Sequence, residues 1–180
     1  LRYSLEQNAA ADISGLHLLA AEEIAGVLPK LNIYPALQEH GWTAEDCYRN
    51  EKIAFGFNYI DENLDVTHEN DYQGEHGSHV AGIASANAYI PAGDGTYSKA
   101  LDAVKVQGVA PDAQLMVMKV FGKGGGAFDS DYMAAIEDAI LLGADAVNLS
   151  LGSSNPGLSY HDEDVYQQIL NTLTQSDTVI

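Results

Sequence analysis

The chain of 180 residues is poor in several kinds of residue, and each scarcity excludes a class of protein. It has 8 basic residues against 26 acidic ones and a formal net charge of −18. This charge repels phosphate backbones and anionic lipid surfaces, so we expect no nucleic-acid partner. The longest apolar runs fall short of the roughly 18 residues that cross a bilayer, so we expect a soluble chain without a membrane span.

The chain has a single cysteine, Cys47, which cannot form an internal disulfide. Because Cys47 lies in a polar stretch with no glycine-framed turn to present it, we expect a surface or half-buried thiol and not a nucleophile. No zinc spacing, no G-x-x-x-x-G-K-[ST] loop and no G-x-G-x-x-G after the first strand occur. A doubly wound nucleotide-binding domain is therefore disfavoured.

The first 50 residues carry helical patterns and no catalytic motif. Apolar spacing predicts helices over Ala9 to Leu28 and Ile33 to Tyr48, the second broken at Pro35 and Gly41. We interpret residues 1–50 as a helical insertion and residues 51–180 as the main part of a catalytic domain.

From residue 51 onward, short apolar segments alternate with helical ones, which predicts an α/β fold with a mostly parallel sheet. Polar residues, Pro91, Gly93 and Gly95 predict an irregular surface insertion between Asn87 and Val106. The predicted strands lie at 53–59, 114–120, 146–150 and 178–180, and the predicted helices begin at His76 and cover 130–142 and 164–173.

A histidine stands among small residues in Gly74-Glu75-His76-Gly77-Ser78-His79-Val80-Ala81-Gly82. Gly77 and Gly82 weaken a helix, so they predict the close approach of another group. Histidine exchanges protons near neutral pH, which suits a general base. A helix cap remains an alternative. Metal binding with His79 is a further alternative, although the order Glu-His-x-x-His differs from the zinc-peptidase motif.

This motif resembles the active-site histidine segment of the subtilisin-like serine peptidases, the subtilases of peptidase family S8. Two further segments resemble the family in the expected order. They are Gly108-Val109-Ala110-Pro111, followed by an apolar strand, and Gly143 to Gly152, which ends in Ser150-Leu151-Gly152. The resemblance covers residues 52–180 and implies a three-layer fold with helices on both faces of the sheet, incomplete at both ends.

The resemblance implies a serine endopeptidase that uses a Ser-His-Asp triad to cut a polypeptide substrate, with His76 as the catalytic histidine. It also implies that an extended substrate binds between two segments of the cleft. The first comprises Gly125, Gly126 and Ala127, and the second comprises Ser150, Leu151 and Gly152.

The other members of the triad have no match in these 180 residues. The family pattern places the aspartate before Leu1, and the oxyanion-hole asparagine and the serine after Ile180. We therefore expect the full-length parent to be the peptidase and this chain alone to be inactive. The alternative is a catalytically dead subtilase-like binding module, and the flanking sequence would decide between the two.

No metal ligand is assigned, and the triad needs no cofactor for its chemistry. The resemblance implies that the full-length parent could hold structural calcium and be secreted or attached to the cell envelope, although the chain shows no targeting segment. A solvated acidic face is the better interpretation of the carboxylates at 61–69 and 94. Asn148-Leu149-Ser150 matches a glycosylation sequon, but its position on a predicted buried strand argues against modification. The sequence does not indicate an oligomeric state.

Overall fold

The computed structural model describes residues 17–72, 74–152 and 165–179. The first part of the predicted helix from Ala9 lies outside these residues. The helices and strands that follow are numbered in chain order. None of the described helices is both long enough and apolar enough to cross a membrane.

Three short helices precede the first strand: α1 (Ala21–Val27), α2 (Tyr34–His40) and α3 (Ala44–Cys47), with a 3-10 turn at Leu28–Lys30. The prediction that Pro35 breaks a helix is wrong, because Pro35 occupies the first turn of α2, where no intrahelical N–H is needed. Gly41 does end α2, since it adopts a left-handed conformation with φ of 70°.

Two parallel strands form the described part of the main sheet. β1 (Ile53–Asn58) and β4 (Leu115–Lys119) pair in parallel, as predicted, with an irregularity in register between Ile53 and Phe55. β1 is buried from Ala54 onward, because Phe55 and Phe57 fill one face while small residues and Asn58 occupy the other. The parallel α/β fold is therefore confirmed, while the three-layer arrangement stays a prediction.

The segment between Asn87 and Val106 is more regular than its composition predicts. It contains an antiparallel hairpin of β2 (Tyr89–Pro91) and β3 (Tyr97–Lys99), followed by α5 (Ala100–Ala103). The expectation of an irregular loop is therefore wrong, although the segment is exposed or half-buried at all positions except Ala100, as predicted for a surface segment. Glycines with positive φ at positions 93 and 95 supply the turn that reverses the chain.

The remaining helices match the predicted pattern: α4 (His76–Ser85), α6 (Asp129–Leu141) and α7 (Val165–Thr174). The predicted strand at 146–150 is reduced to one parallel bridge between Ala146 and Val179. Val147 is half-buried and residues 148–150 are exposed. The burial of Asn148 that argued against glycosylation is therefore not observed.

The larger of two hydrophobic clusters among the described residues joins the helical portion to the sheet. Its buried residues come from α1 to α3, from β1 and from α6, so the helical portion packs directly on the sheet. The boundary at residue 50 stays a prediction.

At the centre of this packing lies a buried carboxylate, Asp138 of α6. It accepts hydrogen bonds from the backbone and side-chain amides of Asn32, at 2.7 and 3.1 Å, and from the Tyr59 hydroxyl at 3.0 Å. Asp138 thus joins the helical portion to β1 and α6. Burial raises the pKa of this carboxyl, although its hydrogen bonds act in the opposite direction.

Candidate active site

The candidate catalytic histidine occupies the first turn of α4. His76 is the first residue of this helix, after Gly74, whose positive φ of 75° turns the chain into it. The side chain of His76 is exposed. An exposed imidazole at the end of a helix is accessible to groups that approach from other parts of a protein.

The glycines of this helix have open space around them. No described atom lies within 4 Å of a Cβ built on Gly77 or Gly82. The close approach that these residues predicted is therefore not found among the described residues. Small side chains leave this part of α4 uncovered, and Ile83 on the same helix is 67% exposed.

The opposite end of α4 is held by the Gly108-Val109-Ala110 segment. The backbone N–H groups of these three residues donate to the carbonyls of Ala86, Ile83 and Ala84, each at 2.9 Å. The last carbonyls of a helix have no partner within the helix, so this segment acts as its cap. The segment that resembles the family therefore has a physical role, which is to fix α4.

Residues 67–72, called the loop before α4 below, are attached to the carboxyl end of β4. Lys119, the last residue of β4, places its Nζ atom 2.5 Å from Oδ2 of Asp71. The same Nζ atom donates to the Thr67 carbonyl at 2.9 Å. The Lys119 and Asp71 side chains are only 12% and 15% exposed, so water screens this ion pair less than a surface pair.

A second attachment joins this loop to the glycine-rich turn, which comprises residues 122–126. The backbone N–H of Tyr72 donates to the carbonyl of Lys123 at 3.0 Å. The Lys123 ammonium in turn lies 5.0 Å from the centre of the Tyr72 ring, within the range of a cation–π contact. The approach to His76 and the start of the glycine-rich turn are thus held together.

The predicted substrate-binding glycines lie in this turn. Gly125 has a φ of 79° and donates its N–H to the Gly122 carbonyl at 2.8 Å. Gly122 donates in turn to the carbonyl of Gly126 at 2.8 Å. Ala127 follows the closed turn and precedes α6. The positive φ explains the glycine at position 125, since other residues are strained there.

The second predicted substrate segment is exposed and approaches α4. Ser150 lines a shallow cavity of about 190 Å³. Leu151 is 40% exposed and Gly152 is also exposed. The structure thus brings Ser150 beside the histidine helix, but no described hydrogen bond joins the His76 side chain to either substrate segment. The other residues that line the cavity are Val80, Ile83, Ala84, Val109 and Asn148.

Two of the carboxylates that the sequence offers as oxygen ligands, Asp65 and Asp94, stabilise turns. Asp65 accepts from the N–H and hydroxyl of Thr67, at 2.9 and 2.6 Å, and these bonds lower the pKa of its carboxyl. Asp94 accepts from Thr96 in the same way, which lowers its pKa too. Among the described ranges, no group of three or more His, Cys, Asp or Glu residues is placed to hold a metal ion. Structural calcium in the full-length parent stays a prediction.

Glu75 contacts one of the two histidines of the metal alternative, His79, together with a histidine of the preceding loop, His68. Its carboxylate lies 3.8 Å from Nε2 of His79 and 3.4 Å from Nε2 of His68. These contacts hold the loop to the first turn of α4.

Cys47 is more buried than its polar neighbours predict. Its side chain is fully buried in the core, and desolvation raises the pKa of the thiol to about 11. A thiol with such a pKa is almost entirely protonated at neutral pH, and the thiol is a poor nucleophile. The expectation of a surface or half-buried thiol is wrong, while its exclusion as a nucleophile is supported.

Sequence reasoning missed the residues that hold the site together, namely Lys119, Asp71, Tyr72 and Lys123. One signal was present, because Lys119 is the charged end of an otherwise apolar strand, in a chain rich in acidic residues. The sequence does not show which carboxylate of residues 61–71 pairs with Lys119, because that depends on how the loop lies against β4 in the fold.

The geometry describes an α/β protein with an exposed histidine on a helix whose preceding loop is fixed to the carboxyl end of a parallel strand. The model of the subtilase family matches residues 31–180. This is most of the chain, and the chain belongs to the subtilase family.

Several curated proteins are similar to this chain. The PI-type proteinase of Lactococcus lactis subsp. cremoris is 40% identical over 121 residues, which are 66% of this chain and 6% of that protein. The minor extracellular protease Vpr of Bacillus subtilis (strain 168) is 38% identical over 55% of this chain and 11% of its own length. A C5a peptidase of Streptococcus pyogenes serotype M6 is 34% identical over 73% of this chain and 10% of its own length. The chain thus spans about a tenth or less of these relatives.

Proposed function

We propose that the full-length protein is a serine endopeptidase and that His76 is the general base of its Ser-His-Asp triad. The observation that carries this proposal is the exposed His76 in the first turn of α4, within the histidine motif of a chain that belongs to the subtilase family. The relatives named as proteinases and peptidases support the same class of hydrolase.

In the proposed reaction the imidazole of His76 takes the proton from the serine hydroxyl as the hydroxyl attacks the peptide carbonyl. It then returns the proton to the leaving amine, while an aspartate holds the ring in the correct tautomer. No described carboxylate is hydrogen-bonded to the His76 ring. The family's aspartate and serine motifs have no match in residues 1–180. We propose that other parts of the full-length protein supply both residues, and we expect this chain alone to be inactive.

The proposed substrate is a polypeptide that binds in an extended conformation. Gly125, Gly126 and Ala127 would border one side of it, because their small side chains allow another backbone to approach. Ser150, Leu151 and Gly152 would border the other side, which is supported by their exposure and by the position of Ser150 beside α4.

The proposed chemistry needs no metal or organic cofactor, because the triad and the oxyanion donors supply every proton transfer and charge contact. Structural calcium is proposed for the full-length protein only, with no ligand assigned among residues 1–180. We also propose a secreted or envelope-attached protein, which is supported by the Bacillus subtilis relative named as an extracellular protease.

Replacing His76 in the full-length protein tests the proposal. We expect His76→Ala to abolish hydrolysis of casein and of a chromogenic peptide, without a change in the circular dichroism spectrum. His79→Ala is the matched control, since His79 is an exposed histidine three residues later, and it should retain activity. Full activity of His76→Ala would contradict the proposal.

Two further assays separate the alternatives. Wild-type protein should react with a serine-directed inhibitor, whereas a catalytically dead homologue would neither react nor hydrolyse. The isolated 180-residue chain should cleave neither substrate, and inhibitor-sensitive cleavage by that chain would refute its assigned inactivity.

A further inference from the structure

We propose that the ion pair of Lys119 and Asp71 positions the histidine helix against the glycine-rich turn and thereby sets the turnover number of the full-length enzyme. This inference rests on the proposed function, because it assigns positioning residues for His76. Lys119 ends the apolar strand of the second segment that resembles the family, without an assigned role, and Asp71 belongs to none of the three segments.

The first step of the argument is the position of the pair in the chain. Lys119 ends β4 and lies three residues before Gly122, where the glycine-rich turn begins. Asp71 lies five residues before His76. The 2.5 Å contact between Nζ and Oδ2 therefore connects the loop that leads to His76 with the strand that leads to the glycine-rich turn.

The second step is the number of bonds that hold the loop. Besides Asp71, the Lys119 ammonium holds the Thr67 carbonyl, and the Asp71 N–H donates to the His68 carbonyl at 2.9 Å. Tyr72 then donates to the Lys123 carbonyl. These bonds attach the loop at both Thr67 and Tyr72, so the chain that enters α4 starts from a fixed point.

The third step is the limited exposure of the pair. At 12% and 15% exposure, neither side chain can regain full hydration if its partner is removed. Removal of one partner would leave the other partly buried and unpaired, and the loop would move to hydrate it. Such a movement would displace the first turn of α4, since the loop leads directly into it.

Lys52 provides a matched control at the other end of the same strands. Lys52 directly precedes β1, and its Nζ donates to the carbonyls of Pro111 and Ala113, both at 2.7 Å, just before β4. Both lysines are partly buried, and each bonds a segment that flanks the other strand: Lys52 the segment before β4, and Lys119 the segment after β1. Open α/β sheets bind ligands at the carboxyl ends of their strands. Of these two lysines, Lys119 lies at that end and Lys52 lies at the opposite one.

The test compares Lys119→Met, Asp71→Asn and Lys52→Met in the full-length protein, with kcat, KM and the midpoint of thermal unfolding as readouts. Misplacement by about 1 Å can cost about 100-fold in rate, so Lys119→Met should lower kcat by about 10- to 100-fold. KM should change far less, because the substrate segments themselves are intact. Lys52→Met should lower the unfolding midpoint but leave kcat near that of the wild type.

Asp71→Asn should reproduce the loss of kcat with a milder effect on folding, and it serves if Lys119→Met does not fold. The double variant should lose no more than either single variant, because both remove the same interaction. A kcat for Asp71→Asn equal to that of the wild type would overturn the inference. Equal losses of kcat in Lys52→Met and Lys119→Met would also overturn it, since they would indicate a general loss of stability.

His76→Ala, assayed in parallel, separates this inference from the proposed function. If His76→Ala is inactive while Asp71→Asn keeps the wild-type kcat, only the positioning role fails. If His76→Ala retains activity, the proposed function fails and the positioning role fails with it.

Discussion

Replacement of Gly108 by alanine should loosen the carboxyl end of the histidine helix. A Cβ at position 108 would lie 2.3 Å from the backbone nitrogen of Ala86 and 2.5 Å from backbone atoms of Ser85. Ordinary contact begins at 3.4 Å, so the deficit is 1.1 Å. The atoms in the way belong to the backbone, so no side chain can rotate to relieve the overlap.

The magnitude follows from the bonds that this displacement would break. If the 108–110 segment moves away by the full deficit, its hydrogen bonds to α4 lengthen from 2.9 Å to about 4 Å, outside hydrogen-bonding range. Three such bonds at about 1 kcal/mol each give a loss of about 3 kcal/mol. In a domain of about 150–250 residues this loss lowers the thermal midpoint by about 6–12 °C.

The assay is thermal unfolding of the full-length protein, together with kcat on a chromogenic peptide. Gly26→Ala is the matched control, because no atom lies within 4 Å of a Cβ in that position of α1. It should raise the free energy of unfolding by about 0.5–1 kcal/mol. The reasoning would be refuted if Gly108→Ala unfolded at the wild-type temperature with unchanged kcat.

Two further predictions concern buried groups. Cys47 should resist alkylation by iodoacetamide in the native full-length protein and react fully in denaturant, as mass spectrometry would show, because the thiol is buried with a pKa of about 11; rapid native labelling would contradict this. Asp138→Ala should cost about 3 kcal/mol of unfolding free energy, because it leaves the Asn32 N–H and the Tyr59 hydroxyl without an acceptor. Burial raises the pKa of Asp138 above its ordinary value of 3.8 in the folded state. In the pH range between 3.8 and the raised pKa, the native protein therefore binds more protons than the unfolded protein. The wild type should therefore lose its advantage over Asp138→Ala as pH rises through that window, and an advantage that grows with pH in urea unfolding would contradict the argument.

Much of the local structure was predictable because its causes are local. The apolar run of β1, the start of α4 at His76 and the extent of α6 follow from residue spacing within single segments. The histidine motif was also sufficient to indicate the family, since its residues are contiguous in the chain.

The wrong predictions concern residues whose role depends on neighbours in space. Pro35 was expected to break a helix, but the chain begins α2 just before it. Cys47 lies among polar residues in the chain, yet α3 turns it into the core. The region from Asn87 to Val106 looked irregular because the short strands of its hairpin carry little apolar periodicity.

The sequence by itself determined the family, the catalytic candidate His76 and the alternation of strands and helices, because each is written in contiguous residues. Only the tertiary structure decided how the candidate site is held. It chose Asp71 among the nearby carboxylates as the partner of Lys119, and it showed that Gly108 lies against the backbone of α4. These choices depend on distances between segments more than 20 residues apart, which residue spacing does not encode.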